Sequence, residues 1–201
     1  MALSAIAINC TLKKSPTTSS CEKLLSEVAG ALRNLGVPCD LVRAVDFAIL
    51  PGVTSDEGPE DQWPELRRRI LAADIFILGT PICLGHPSSV CQRILERMDA
   101  FLGETDDAGR MVTYGRVAGV AVVGNEDGAH HVSAELFQAL NDVGFTLPAS
   151  AVTYWVGEAM QKKNFDELAA TPQKTAQATA ELALNCAHLA SQLHASPYPP
   201  R

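Results

Sequence analysis

Residues 8–25, INCTLKKSPTTSSCEKLL, place a dense group of hydroxyl side chains and two lysines between an apolar run and a helix-like pattern. The free N–H groups at the start of a helix attract anions, and serine and threonine hydroxyls add further donors. Ser19 alone would satisfy the role of a helix cap, so capping does not explain the other hydroxyls. The segment therefore predicts a site for a phosphate monoester, with simple helix capping as the alternative.

The same loop lacks the two common glycine patterns of nucleotide sites. It has no G-x-G-x-x-G, which argues against a dinucleotide turn that binds pyrophosphate. It also has no G-x-x-x-x-G-K-[ST], so it is not the phosphate loop of an NTPase.

A second segment, TPICLGHPSS at residues 80–89, follows a continuous apolar run and is rich in apolar and stiff residues. Such a wall suits a flat apolar ring whose edge is read by backbone N–H and C=O groups. The alternative is an ordinary turn between a strand and a helix, capped by Ser88 or Ser89.

A third segment, VGNEDGAHH at residues 123–131, combines glycines with polar side chains. Gly124 and Gly128 permit close backbone approach to a ligand. His130 and His131 are candidates for a proton donor, a metal ligand or plain surface residues. Adjacent histidines of a helix point in different directions, so one ion cannot easily take both. We expect no metal and no catalytic side chain here.

Strand-like and helix-like patterns alternate along the chain and position these three segments. Ser19 and Glu22 form a capping box at the start of the first helix, and Gly36 ends that helix. The predicted strands are 3–9, 37–42, 74–79, 117–123 and 146–153, and the predicted helices begin near 19, 65, 89, 131 and 172. This alternation predicts an α/β fold with a doubly wound, five-stranded parallel sheet. Ligands of such sheets bind beyond the carboxyl ends of the strands, so we expect loops 9–20, 80–89 and 124–131 to meet.

Side-chain exposure follows from the same patterns. We expect Arg67, Arg68 and Arg69 to be exposed on the second helix. The third helix should turn one apolar face inward, including Leu102. The aromatic residues expected at the surface are Trp63, Tyr154 and Trp155.

Length and composition bound the class of protein. The 201 residues are 47% hydrophobic, which suits one domain over residues 1–195 with a loose tail at 196–201. The formal charge of −7 argues against nucleic acid or a membrane surface as a partner. We see no transmembrane run and no signal peptide, and we expect a cytoplasmic protein. The six scattered cysteines are expected to be buried or half-buried free thiols.

Taken together, the three segments resemble the flavodoxin-like family of NAD(P)H-dependent FMN reductases and related quinone reductases. The resemblance covers residues 5–192 and is carried by CTLKKSPTTSS, GTPICLGHPSSVCQRILERMDAFL and VVGNEDGAHH. It implies FMN as cofactor, NAD(P)H as co-substrate, a small-molecule electron acceptor, and a homodimer or homotetramer.

The resemblance also implies roles for individual residues. The FMN phosphate would lie on Thr11, Lys13, Thr18, Ser19 and Ser20. The isoalloxazine wall would be Pro81, Ile82, Cys83, Leu84 and Gly85. The ring edge would lie near Asn125, Glu126, Asp127, Gly128 and His130.

Three departures from the family pattern matter. Lys13 stands where the family often has arginine, so charge is kept but the bidentate fork is lost. Many relatives carry an aromatic residue at position 83 or 84; here Trp155 or Tyr154 is the candidate cover for the flavin, including from a neighbouring subunit. The loop after the second strand, residues 50–64, has no cysteine, which excludes an iron–sulfur cluster there.

The expected function is that of an FMN oxidoreductase. A hydride would pass from NAD(P)H through the flavin to a quinone, a free flavin or another small acceptor. Three alternatives stay open at this point: a non-enzymatic electron carrier of flavodoxin type, a flavin-free interaction module, and a pocket for a different phosphorylated ligand.

Overall fold

The computed structural model describes residues 2–157 and 162–200. Its strands are β1 (Ala5–Asn9), β2 (Cys39–Arg43), β3 (Ile75–Cys83), β4 (His86–Pro87), β5 (Val117–Gly124) and β6 (Val152–Val156). Its α-helices are α1 (Ser20–Asn34), α2 (Trp63–Ala72), α3 (Ser89–Met98), α4 (Ala129–Asp142) and α5 (Gln173–Ala195).

Five of these strands form one parallel sheet in the order β2-β1-β3-β5-β6. The two-residue strand β4 pairs antiparallel with the end of β3. Helices α1 and α5 pack on one face of the sheet, and α2, α3 and α4 pack on the other. The predicted doubly wound, flavodoxin-like sheet is confirmed. The strand order reverses between β1 and β3, which is where such sheets bind ligands.

The alternation of side chains along β1 shows why its sequence suits a central strand. Ile6 and Ile8 join the core beneath α2–α4, whereas Ala5 and Ala7 join the core beneath α1 and α5. All four side chains are buried, as expected for a strand that is covered on both faces. The smaller residues face α1, so this helix can lie close to the sheet.

Gly79 of β3 allows the same close approach one strand further along. A Cβ atom at this position would lie 2.5 Å from Cδ1 of Leu25, a fully buried residue of α1. Any side chain at position 79 would therefore displace Leu25 or the helix that carries it.

The start and end of α1 agree with the sequence signals. The Ser19 hydroxyl caps the helix by accepting a hydrogen bond from the Glu22 N–H at 3.3 Å. Gly36 follows the helix with a φ of 80°, a value that favours glycine. The Glu22 carboxylate does not complete the predicted capping box; it pairs with Arg43 of β2 instead.

The structure corrects the predicted end of β3. This strand does not stop at Gly79 but continues to Cys83. It then turns through Leu84 and Gly85 into β4, with which it forms a hairpin. Leu84 and Gly85 both have positive φ, 53° and 79°, as a tight two-residue hairpin turn requires. The sequence hid this hairpin because leucine rarely occupies such a position.

The last strand was also misplaced. It spans Val152–Val156, not residues 146–153, and Thr146 makes only an isolated bridge to Val117. As a result Tyr154 and Trp155 belong to the sheet edge rather than to a loop after it.

Several predicted exposures are wrong. Trp63 is fully buried, because it joins the core beneath α2–α4 and its ring packs against Arg97 of α3. Arg67 and Arg69 are half-buried and pair with Glu104 and Asp40, which leaves Arg68 as the exposed arginine of the three. Leu102 is 49% exposed, since α3 ends at Met98 and the chain continues as a short 3-10 helix.

The cysteines are free, as predicted. Four are buried and two are half-buried: Cys10, Cys21, Cys91 and Cys186, then Cys39 and Cys83. None of the described helices has the length and apolarity needed to cross a bilayer. Near the C-terminus, Tyr198 bonds the Thr146 hydroxyl at 2.9 Å and its carbonyl accepts from Arg110.

A buried ion pair organises the long loop between β2 and α2. Arg97 of α3 and Asp61 of the loop lie 2.7 Å apart, and both side chains have no exposed surface. Asp61 also accepts hydrogen bonds from three backbone N–H groups, those of Leu50, Glu57 and Trp63. Burial alone would raise the pKa of Asp61, but Arg97 and these N–H groups outweigh it and lower the pKa.

We predict that Arg97→Met destabilises the protein by about 3–5 kcal/mol, because Asp61 then keeps a buried charge without its partner. Urea denaturation followed by circular dichroism measures the change in the free energy of unfolding. The matched control is Arg68→Met, which removes an exposed pair with Glu65 and should cost less than about 1 kcal/mol. Equal losses in the two variants would contradict the prediction.

Candidate functional site

A cleft of ≈ 170 Å³ opens at the carboxyl end of the sheet, beside the start of α1. Seven of the predicted site residues line it: Thr11, Lys13, Ser19, Ser20, Pro81, Ile82 and Asn125. Among the residues that the structure describes, six outside the predicted binding set also line it: Cys21, Val123, Gly124, Trp155, Asn164 and Phe165. The loops that follow β1, β3 and β5 thus meet as the sheet topology predicts.

One end of the cleft is built to receive an anion. The first N–H groups of α1 have no partner within the helix, and they point toward its amino end. The hydroxyls of Thr11 and Ser19 each accept one backbone N–H and keep their own hydrogen to donate. Lys13 adds a positive charge on an exposed side chain whose Nζ donates to the Thr18 carbonyl at 3.2 Å. These groups fit a terminal phosphate.

Ser20 is engaged differently from the other hydroxyls. It donates to Oδ1 of Asp166 at 2.6 Å and accepts from the Asp166 N–H at 3.3 Å. A carboxylate therefore lies at the amino end of α1, near the place where a phosphate would bind. The two negative charges would repel each other at this end of the cleft.

Asp166 belongs to a wall that the sequence did not reveal. The wall is residues 164–168, which include a turn of 3-10 helix (Phe165–Glu167). Lys23 of α1 fixes it by donating to the carbonyls of Phe165 and Leu168 at 3.0 and 2.8 Å. The spacing of Asn164 and Glu167, whose side chain accepts the Asn164 N–H at 2.7 Å, is a capping signal that would have located this turn.

The other end of the cleft is apolar and suits a flat ring. Pro81, Ile82 and Val123 line it at the ends of β3 and β5. The indole of Trp155 lines it as well and packs against Phe165, with ring centroids 5.4 Å apart.

The two aromatic residues predicted as covers for the flavin, Trp155 and Tyr154, lie on different faces of the sheet. Trp155 lines the cleft, whereas Tyr154 points to the opposite face of the sheet edge. There the Tyr154 hydroxyl lies 3.2 Å from Nε2 of His130.

The remaining predicted residues lie outside the cleft lining: Thr18, Cys83, Leu84, Gly85, Glu126, Asp127, Gly128 and His130. Most of them form a rim beside the cleft, where the β3–β4 hairpin contacts the loop after β5. The Leu84 N–H donates to Oε1 of Glu126 at 3.3 Å. A Cβ on Gly128 would lie 2.9 Å from the Gly85 Cα, so the two backbones touch.

The thiols near the cleft are poor nucleophiles. Burial, together with the nearby Glu126 carboxylate, raises the pKa of Cys83 above its ordinary value. Burial raises the pKa of Cys21 much further. Both thiols stay protonated near neutral pH, so neither supplies a thiolate for covalent chemistry.

Comparisons of sequence agree with this geometry. Residues 4–161 match the family described as NADPH-dependent FMN reductase. A Streptomyces davaonensis protein named 8-demethyl-8-aminoriboflavin-5'-phosphate synthase is 31% identical over 208 residues, covering 98% of this chain and 81% of that protein. A Mycobacterium bovis protein named divalent metal cation transporter MntH is 37% identical over 96% of this chain. The chain spans 29% of the length of that second protein.

Solved structures place the fold in the same group. RosB with its bound intermediate 8-demethyl-8-formylriboflavin-5'-phosphate has a TM-score of 0.91 at 31% identity, covering 98% of this chain and 82% of RosB. A Streptococcus flavodoxin has a TM-score of 0.58 at 17% identity, covering 93% of this chain and 99% of its own, and shows likeness of fold alone. The chain therefore belongs to the NADPH-dependent FMN reductase family, whose cofactor is FMN and whose reductant is NAD(P)H.

Proposed function

We propose that this protein is an oxidoreductase that holds FMN in the cleft and transfers a hydride from NAD(P)H to a small acceptor, such as a quinone or a free flavin. The observation that carries the proposal is that one cleft has two different ends. One end offers hydroxyls, a lysine and the amino end of a helix, which suit a phosphate. The other end is apolar and includes an indole, which suits a flavin ring. FMN, when bound, supplies the redox chemistry, so the chain needs no nucleophile of its own.

The residues of the chain would bind and orient the flavin. Thr11, Lys13 and Ser19 would hold the phosphate by charge and hydrogen bonds. Pro81, Ile82 and Trp155 would exclude water from the ring. The rim residues Cys83, Leu84, Gly85, Glu126, Gly128 and His130 would meet the ring edge or the acceptor. Asn125, Asp127, Thr18 and Ser20 complete the proposed set.

The test of this function is turnover by the purified chain reconstituted with FMN. We expect NADPH or NADH to reduce the bound flavin in the absence of oxygen, and a quinone or free flavin to reoxidise it. An electron carrier would retain FMN but would not oxidise either nicotinamide nucleotide with any acceptor. That outcome would overturn the enzyme proposal.

A second candidate function treats riboflavin 5'-phosphate as the substrate rather than the cofactor. It is favoured by the likeness to RosB and to the Streptomyces davaonensis synthase, whose names concern modified riboflavin phosphates. Mass spectrometry of the flavin after turnover distinguishes the two functions. An unchanged FMN mass supports the reductase, and a new flavin mass supports modification of the ring.

We predict that Lys13→Gln weakens FMN binding about three- to fivefold, as expected for the loss of one exposed charge pair. Riboflavin, which lacks the phosphate, should bind both forms equally. Titration followed by flavin fluorescence measures the two affinities. The matched control is Lys14→Gln, because Lys14 is an exposed neighbour that does not line the cleft.

A parallel loss for riboflavin in Lys13→Gln, or an equal loss in Lys14→Gln, would show that Lys13 does not meet the phosphate. The placement of the phosphate at the start of α1 would then be wrong.

We also predict that Asp166→Asn strengthens FMN binding about three- to tenfold, because it removes a negative charge beside the phosphate end. The hydrogen bond from Ser20 survives, since the asparagine carbonyl oxygen also accepts. The gain should shrink at high salt and should be absent for riboflavin. Weaker FMN binding in this variant would contradict the prediction and indicate that Asp166 holds the wall in place by its charge.

A further inference from the structure

A cluster of two histidines and one glutamate lies on the rim, outside the cleft. Its members are His86 of β4 and His131 and Glu135 of α4, and their candidate ligand atoms all lie within 4.8 Å of one another. His86 and His131 are exposed, while Glu135 is half-buried. The sequence carries no signal for this site. His86 and His131 lie 45 residues apart, and motifs for metal ligands are recognised by short spacings, so the sequence alone pairs His131 only with its neighbour His130.

The fold brings these three side chains together through two separate constraints. His131 and Glu135 are four residues apart on α4, which places them on one face of the helix. His86 is presented by the hairpin at residues 83–86, whose backbone touches the start of α4 at Gly85 and Gly128. The cluster is therefore built on a helix and a tight hairpin rather than on a long loop.

One carboxylate oxygen connects the cluster. Oε1 of Glu135 lies 2.9 Å from Nδ1 of His86 and 2.7 Å from Nε2 of His131. The two imidazole rings meet edge to face, with centroids 5.0 Å apart. Ligand atoms of a zinc ion, each near 2.0–2.1 Å from the metal, are separated by about 3.0–3.4 Å. Small side-chain adjustments would bring the three donors to those separations.

We propose that His86, His131 and Glu135 form a binding site for a divalent transition metal ion of the Zn²⁺ class. Two imidazole nitrogens and one carboxylate oxygen are the donor set that zinc, cobalt and nickel accept, and they suit Mg²⁺ or Ca²⁺ poorly. Three protein ligands leave a fourth position of a tetrahedral ion for water or an exogenous ligand.

The site has a structural consequence for the rim. A bound ion would join the β3–β4 hairpin to α4. It would thereby hold the hairpin, whose Leu84 and Gly85 contact the loop after β5, in one position. The inference does not rest on the proposed function, since metal binding is measured without flavin.

The test is calorimetric titration of ZnCl₂ into the full chain after removal of metals with a chelator. We expect one high-affinity ion per chain, and we expect His86→Ala, His131→Ala and Glu135→Gln each to lose at least about 100-fold in affinity, more than a typical outer-shell change. Titration with Co²⁺ should give a visible ligand-field band that the same variants lose. Mg²⁺ at millimolar concentration should not compete with Zn²⁺.

The matched control is His188→Ala, which removes an exposed histidine of α5 far from the cluster in sequence. A second control is Cys83→Ser, because Cys83 stands opposite His86 in the backbone pairing of the hairpin and a thiol is a ligand that zinc accepts. Both controls should bind Zn²⁺ as the unmodified chain does. Thermal unfolding of each variant without metal checks that it is folded, and His86→Asn replaces His86→Ala should the latter unfold.

Three results would overturn the proposal. The first is the absence of Zn²⁺ binding by the full chain, which would leave Glu135 as a surface ion-pair partner of two imidazoles. The second is binding that survives in folded His86 and Glu135 variants. The third is binding that is lost in Cys83→Ser while it persists in the histidine variants.

Discussion

The close contact of α1 with the sheet is the constraint on which the rest of the structure depends. Ala5 and Ala7 of β1 and Gly79 of β3 leave room for a helix whose Leu25 fills the space above Gly79. The helix then begins at the carboxyl end of these strands. Its unpaired N–H groups open into the cleft because the helix axis is held there, and these are the groups that would face the proposed phosphate.

The cleft is completed by contacts between distant parts of the chain. Lys23 and Ser20 of α1 reach Phe165, Leu168 and Asp166, which lie more than 140 residues further on. The wall formed by residues 164–168 is therefore held in position by its contacts with α1. This dependence explains why one end of the cleft carries both the helix amino end and a carboxylate: the same contact that closes the pocket also lowers its attraction for anions. The charge of Lys13 offsets part of that cost.

The sequence predicted the parts of the fold that depend on local pattern. The buried runs of β1, β3 and β5, the Ser19 cap and the order of the three ligand loops all follow from periodicity and turn chemistry. It failed for two different reasons. The β3–β4 hairpin is local, but it uses Leu84 in a conformation that favours glycine or asparagine, so the sequence carries no turn signal there. The Arg97–Asp61 pair and the contacts of Lys23 and Ser20 with residues 165–168 join distant parts of the chain, and no short window of the sequence contains both partners.

Under the proposed function, the division between cleft and rim would let one scaffold serve different flavin chemistries. The cleft floor lies on strand ends that a rigid sheet fixes, so a flavin ring bound there, as we propose, would have few opportunities to move. The rim is instead made of a hairpin and a loop joined through Gly85, Gly128 and Glu126, so its side chains can change without disturbing the sheet. Because burial and Glu126 raise the pKa of the Cys83 thiol, any proton transfer or ligand binding at the rim would fall to its imidazoles and carboxylates. Reduction of an acceptor and modification of the flavin ring would then differ at the rim, while binding of the phosphate at the start of α1 would be common to both.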